Sequence, residues 1–199
     1  FRKEVFTMYS VTECQSVLEI KKSKFIACLF PVTEEDEVDE YLKQIKLDYP
    51  SATHYCYAYI IGAKQKCSDD HEPHGTAGAP ILNVLIKRKL DYVLCVVVRY
   101  FGGIKLGAGG LVRAYSNATS QVLDSASIIE LVPSYLITIA VSYEENKALS
   151  SLIKSYSILE VNYEDKINYR LEIPIQDLPL FRNYDIQIIQ QRYMKKATS

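Results

Sequence analysis

Residues 91–115 read DYVLCVVVRYFGGIKLGAGGLVRAY. The run 92–98 is apolar, rich in β-branched side chains and too short to span a membrane, so it predicts a buried strand that Arg99 ends. Gly102, Gly103, Gly107, Gly109 and Gly110 follow within nine positions, where the backbone is free to take positive φ or to lie close against a ligand. A helix is expected next, because Leu111, Val112, Tyr115, Thr119, Val122 and Leu123 recur at helical spacing.

A strand, a glycine loop and a helix together present backbone N–H groups and the positive end of a helix dipole to an anion. The named phosphate motifs fail here. Gly102 and Gly107 have the Walker spacing, but Ala108 and Gly109 stand where Lys and Ser or Thr belong, and Val112 occupies the third glycine position of a dinucleotide fingerprint. What remains is a general anion-site signal with two cations, Lys105 in the loop and Arg113 in the first helical turn. A cation at Arg113 opposes the dipole by about 0.3–1 kcal/mol, which points to a partner elsewhere. The alternative is a tight turn beside an Arg113 that is solvated or paired with Asp69, Asp70 or Glu72.

Composition bounds the rest. The 199 residues suffice for one sizeable domain or two small ones, and 48% hydrophobic with 24% charged residues is ordinary for a soluble globular protein. A net charge of -1 removes the overall basic balance expected of a nucleic-acid binder, so any such surface must be local. Five cysteines, Cys14, Cys28, Cys56, Cys67 and Cys95, form no CxxC pair and fit reduced thiols in a cytoplasmic protein. No membrane-spanning run or cleavable signal is visible, and the start at Phe1 rather than Met suggests that processing removed a preceding stretch.

Outward from the glycine loop, residues 15–20 and 25–32 predict two strands joined by Lys21-Lys22-Ser23-Lys24, a solvated basic tip. Thr33 is expected to cap a helix with an acidic first turn that Pro50 ends. Residues 52–61 alternate, placing Tyr55, Tyr57 and Tyr59 on one strand face and His54, Cys56 and Ala58 on the other. The tyrosines are either a base-stacking platform or a half-buried sheet face. Pro80 opens a further helix ending at Lys87-Arg88-Lys89.

The segment 67–78, CSDDHEPHGTAG, is the most chemical in appearance. Zinc binding, carboxylate acid/base work and a Cys–His nucleophile all come into consideration. His71 and His74 are three residues apart across Pro73, unlike a helical HExxH pair. No third residue is evident to orient a Cys67–His71 pair. The structural alternative is a loop in which Asp69, Asp70 and Thr76 satisfy backbone donors, with an ion pair to Arg99 or Arg113. No catalytic residue, metal or cofactor is assigned.

The pattern changes at Pro133-Ser134, so a boundary is expected there, giving domains 1–132 and 133–199. The second reads as a strand at 135–143, a helix at 144–156, strands at 157–164 and 167–174, a short helix at 176–183 and a strand at 185–191. That order, βαββαβ, is the ferredoxin-like arrangement. It holds no histidine, cysteine or glycine, and no catalysis is expected in it.

The segments ATHYCYAYIIG, DDHEPHGTAGAPIL and VVVRYFGGIKLGAGGLVRAY resemble the YigZ/IMPACT family over nearly the whole chain. The resemblance implies an α+β protein with a ribosomal protein S5 domain 2-like first domain and a ferredoxin-like second domain similar to the last domain of elongation factor G. Ribosome or RNA contact follows as an expectation, as does a role in translation regulation, since eukaryotic IMPACT proteins regulate translation through protein contacts. The family motif is similar to DDGEPxGTAG followed by Lys or Arg, whereas His71, His74 and Ala79 stand here; the histidines either replace the lost charge when protonated or are incidental. The family supplies no catalytic residues to transfer, so Asp69, Asp70, Glu72, Thr76, Arg99, Lys105 and Arg113 carry over as motif positions lining a shared surface.

The leading expectation is a non-catalytic cytoplasmic binding protein that contacts RNA or the translation machinery through a groove between the 69–80 and 99–113 loops. The alternatives are an enzyme acting on a phosphorylated or nucleotide substrate, with Asp69, Asp70 or Glu72 as base or metal ligand, and a protein-interaction module like IMPACT.

Overall fold

The computed structural model describes residues 8–196, so the start at Phe1 lies outside the described residues. It is a mixed α+β structure whose chain divides into two compact units between Glu130 and Leu131.

In the first unit, β1 (Met8–Val11) makes a parallel bridge from Tyr9 to Leu90. A five-stranded antiparallel sheet then runs in the order β2-β3-β6-β4-β5, with β2 at Cys14–Ile20, β3 at Ser23–Pro31, β4 at His54–Ile61, β5 at Lys64–Ser68 and β6 at Val93–Tyr100. The central strand β6 is a continuous apolar run because both of its faces are covered. On one face Val93, Cys95 and Val97 pack with Ile81 and Leu85 of α2 (Gly78–Lys87) and with Leu111, Tyr115 and Val122 of α3 (Ala108–Ser125). On the other, Leu94, Val96 and Val98 meet Val38 and Ile45 of α1 (Glu35–Asp48). Tyr59 is buried in this second core and Tyr55 and Tyr57 pack against it, so the tyrosine ladder is a sheet face rather than a stacking platform.

Several boundaries differ from those read in the sequence. Strand β6 does not end at Arg99 but carries it as its penultimate, buried residue, because Arg99 has a carboxylate partner inside the fold. The hairpin after β2 is a two-residue turn, Lys21-Lys22, both with positive φ, which matches the twist of its strands and places Ser23 in β3. Helix α1 is capped at Glu34 rather than Thr33, with the Glu37 carboxylate accepting from the Thr33 and Glu34 N–H groups. Strand β5 is an edge strand of Lys and Gln with no hydrophobic signal, turned back at Gly62.

β7 (Ile128–Val141) begins just before the division and leads into the second unit, where α4 (Asn146–Ile153), β8 (Ser157–Tyr163), β9 (Ile167–Pro174) and β10 (Ile186–Lys195) follow one another. These strands belong to a five-stranded sheet of order β1-β7-β9-β8 in which β10 also pairs β7, so that β10-β7-β9-β8 run antiparallel. Ile137, Ile139, Leu171 and Ile173 pack with Leu149 and Ile153 of α4. Residues Ile175–Phe181 form a 3-10 helix rather than the α-helix read in the sequence. Pro174 enters it and Pro179 lies within it, so α-type N–H bonds are missing where a helix would need them. No helix among the described residues is long and apolar enough to cross a membrane.

Candidate functional site

The corner between β6 and α3 is built by close backbone approach. Thr53 donates its N–H to the Arg99 carbonyl at 2.8 Å, and its hydroxyl accepts from the Phe101 N–H at 2.9 Å. The Gly102 N–H donates to Ser23 Oγ at 3.1 Å. A Cβ on Gly102 would lie 2.0 Å from the Lys22 carbonyl group, so only glycine fits against the hairpin tip. Gly103 and Gly107 have φ of 84° and 74°, and Gly107 is the residue from which α3 starts. No side chain caps α3; its first intrahelical bond from an N–H is Leu111 to Gly107, which leaves the N–H groups of residues 108–110 directed out of the helix start.

Beside this corner, the 69–78 loop is held by its own carboxylates. Asp69 accepts N–H bonds from Gly75 at 2.8 Å, Ala77 at 3.1 Å and Gly78 at 2.8 Å. Burial pushes the Asp69 carboxyl up, but these N–H groups, with His74 nearby, outweigh it and hold its pKa below the usual value. Asp70 accepts from the Tyr55 N–H at 2.6 Å, and Thr76 Oγ1 donates to the Pro73 carbonyl at 2.6 Å. A Cβ on Gly78 would lie 2.8 Å from the Ser68 backbone, so α2 begins pressed against β5.

Glu72 joins the loop to the corner. It is 7% exposed, and its Oε1 accepts from Arg99 Nη1 at 2.6 Å and from the Tyr115 hydroxyl at 2.8 Å. Arg99, 5% exposed, lies between the rings of Phe25 and Phe101, with centroids 5.4 and 5.5 Å away. Its Nη2 reaches Ser23 Oγ only at 3.5 Å and its Nε has no partner. Burial, then the neighbouring Cys56 and Glu72, raises the Tyr115 pKa, which keeps this phenol a donor. Cys56 bonds to Tyr115 Oη at 3.3 Å and to the Asp69 carbonyl at 3.0 Å; burial pushes its thiol up, so it is no nucleophile. On the near side, His54 Nδ1 is 2.7 Å from the Asp70 carbonyl and Nε2 is 3.7 Å from Glu72 Oε2.

These elements surround a cleft of about 430 Å³. Strand β4 contributes His54, the loop contributes Glu72 and Pro73, β6 contributes Arg99, the glycine segment contributes Phe101, Lys105, Leu106 and Gly107, and α3 contributes Ala108 and Leu111. Of the residues singled out from sequence, Glu72, Arg99, Lys105 and Gly107 therefore converge on one cavity. Gly109 and Gly110 lie in the first turn of α3, and Gly102 and Gly103 shape the loop. Arg113 is exposed on α3 and does not line the cleft, while Asp69, Asp70 and Thr76 fold the neighbouring loop. His71 and His74 are exposed and outside it as well. Among the described residues no group of three His, Cys, Asp or Glu side chains is placed to hold a metal ion. No sequence motif marks His54, Phe101 or Tyr115 as site residues; the signal for His54 is its register position opposite Arg99, which exists only once β4 is paired with β6.

Comparison with known proteins agrees with the motifs. Residues 21–123 match the Impact N-terminal domain. The chain is 36% identical to the IMPACT family member YvyE of Bacillus subtilis over 98% of this chain and 95% of that one. It is 33% identical to the IMPACT family member YigZ of Escherichia coli, covering 79% and 81% of the two chains. A crystal structure of a hypothetical protein superposes with a TM-score of 0.68 at 28% identity, over 92% of this chain and 98% of that one. Matched by domain, sequence and fold over most of its length, the chain belongs to the YigZ/IMPACT family.

Proposed function

We propose that this chain is a non-catalytic, cytoplasmic binding protein of the translation apparatus whose cleft takes the phosphodiester backbone of RNA. The observation that carries the reading is the uncapped start of α3, which opens beside Lys105 and Arg99 with its N–H groups unspent. The role in translation rests on the IMPACT resemblance. An enzyme reading is disfavoured because the carboxylates it needs are engaged in the fold: Asp69 by three N–H groups, Asp70 by Tyr55, and Glu72 Oε1 by Arg99 and Tyr115. A second reading, a protein-interaction module, is favoured by the exposed apolar side chains of Phe101 and Ile104 on the same loop.

The division of the chain also enters the proposal. We assign residues 1–132 to an S5 domain 2-like domain on the family resemblance. Residues 133–199 are assigned to a ferredoxin-like domain, which the antiparallel order β10-β7-β9-β8 supports.

Titrating labelled single-stranded RNA at several salt concentrations tests the binding. With one phosphate neutralised by Lys105, log affinity falls against log salt with a slope of about -0.7, and Lys105→Ala removes most of it. Arg113→Ala, outside the cleft, leaves the slope nearly unchanged. Absence of RNA binding at low salt, with a translation protein captured through Phe101 and Ile104, replaces this reading with the second.

A further inference from the structure

Among the described residues β10 pairs with β7 alone, so its other edge presents backbone N–H and C=O groups with no strand against them. Edge strands are ordinarily blunted by shortness, Lys or Pro, as β5 is with five residues that include Lys64 and Lys66. β10 has none of these defences over its first half. It runs for ten residues, and from Ile186 to Gln191 it reads IQIIQQ, without a charge or a proline. Ile188 and Ile189 are each 47% exposed. An edge of this composition suits the addition of another strand.

The bulge at Ile189 decides which strand fits. Before it, Ile186 and Ile188 lie opposite Ile139 and Ile137, on the face that packs with α4. After it, Gln191 lies opposite Tyr135 on that same face, and Gln190 lies opposite Leu136 on the other. The alternation therefore shifts by one residue in the middle of the strand. When a second β10 runs antiparallel about a two-fold axis, cross-strand partners must share a face. They do so when a residue before one bulge meets a residue after the other, as Ile186 meets Gln191 and Gln187 meets Gln190. A strand without the bulge would put those pairs on opposite faces.

Charge fixes the register. In this pairing Asp185, exposed at the head of the strand, stands opposite Arg192 of the second copy, and symmetry makes that pair twice. Arg192 donates its Nε–H to Gln190 Oε1 at 3.1 Å, which draws the guanidinium along the face that Gln190 shares. A register moved by two residues also keeps the faces matched, but it sets Asp185 against Met194 or Gln190 and loses both ion pairs. We infer that β10 is the contact of a homodimer, in which two copies of this chain pair antiparallel about a two-fold axis and the strands β10-β7-β9-β8 of both form one continuous sheet. Ile188 and Ile189 of both copies then meet at the axis, and the occupant of the edge is the same uncharged strand.

Sedimentation equilibrium of the full chain over a concentration series tests this, with a dimer of twice 22.7 kDa expected. Asp185→Arg sets like charges opposite one another at both ends of the contact and should weaken the dimer about tenfold, because each change is felt twice. Adding Arg192→Asp restores opposite signs and should return the affinity to within about threefold of wild type. Thermal unfolding of both variants checks that they fold. Hydrogen exchange at residues 186–191 should quicken on dilution as the dimer separates. A wild type that stays monomeric throughout the series overturns the inference, and growth past two copies replaces it with a head-to-tail pairing of β10 with β8. A double variant no tighter than Asp185→Arg alone, or a dimer whose separation leaves exchange at 186–191 unchanged, overturns it as well.

Discussion

Glu72 and Arg99 form a buried ion pair whose charges have no water to fall back on. Removing one partner strands the other, a loss of about 3–5 kcal/mol, whereas removing a single hydrogen bond to the same carboxylate costs about 1–2 kcal/mol. Glu72→Ala is therefore expected to destabilise the first unit several-fold more than Tyr115→Phe, by urea denaturation of both variants. Equal losses would mean that Arg99 is hydrated in the folded protein. Little of this pairing was legible from sequence. In sequence Arg99 looks like a strand end, because charged residues seldom lie inside strands, and Tyr115 like one more apolar position on a helix. The sequence offers Arg99 the Asp69–Asp70 loop and offers Glu72 only to Arg113; joining Glu72 to Arg99 needs the register of β4, β6 and the loop between them.

At the scale of elements, the glycine corner is held by fit and the 69–78 loop by charge. Gly102→Ala places a methyl group against the Lys22 backbone, which neither side can relieve without moving the hairpin. A loss of about 3 kcal/mol is expected, against less than about 1 kcal/mol for Gly109→Ala, where a Cβ meets nothing within 4 Å. Asp69 gives the loop a pH dependence of defined sign. Its folded pKa is below the ordinary aspartate value of 3.8, so its contribution is complete above that pH and is lost as pH falls through the folded value. The stability gap between wild type and Asp69→Asn, measured in urea, should accordingly be constant from pH 8 to 5 and close in acid. Thiol accessibility follows the same packing. Burial pushes Cys28 to about 11 and Cys95 to about 12, so alkylation of the native protein at pH 8 should label the exposed Cys67 and spare both. Sequence showed the elements with strong apolar periodicity, β6, α3 and β4. It missed β5, whose Lys and Gln carry no such period, and gave the 3-10 segment the wrong helix type because apolar spacing does not register Pro179.

For the molecule as a whole, a net charge of -1 leaves no general attraction for RNA, so the binding proposed for the cleft would have to come from Lys105 and the start of α3, the Arg99 charge being paired with Glu72. The sequence pattern changes at Pro133, yet β7 runs unbroken from Ile128 to Val141, with Pro133 paired to Tyr193 of β10. A boundary inside a continuous strand has no linker to betray it, and composition alone does not show where packing divides. Hydrogen–deuterium exchange of the full chain with and without single-stranded RNA tests the cleft most directly, because the N–H groups at residues 108–110 have no acceptor in the free helix start. Slowed exchange at 105–111 on adding RNA, accompanied by 53–54 and 72–73, is the predicted result; slowing confined to residues 131–196, with 105–111 unchanged, would contradict it.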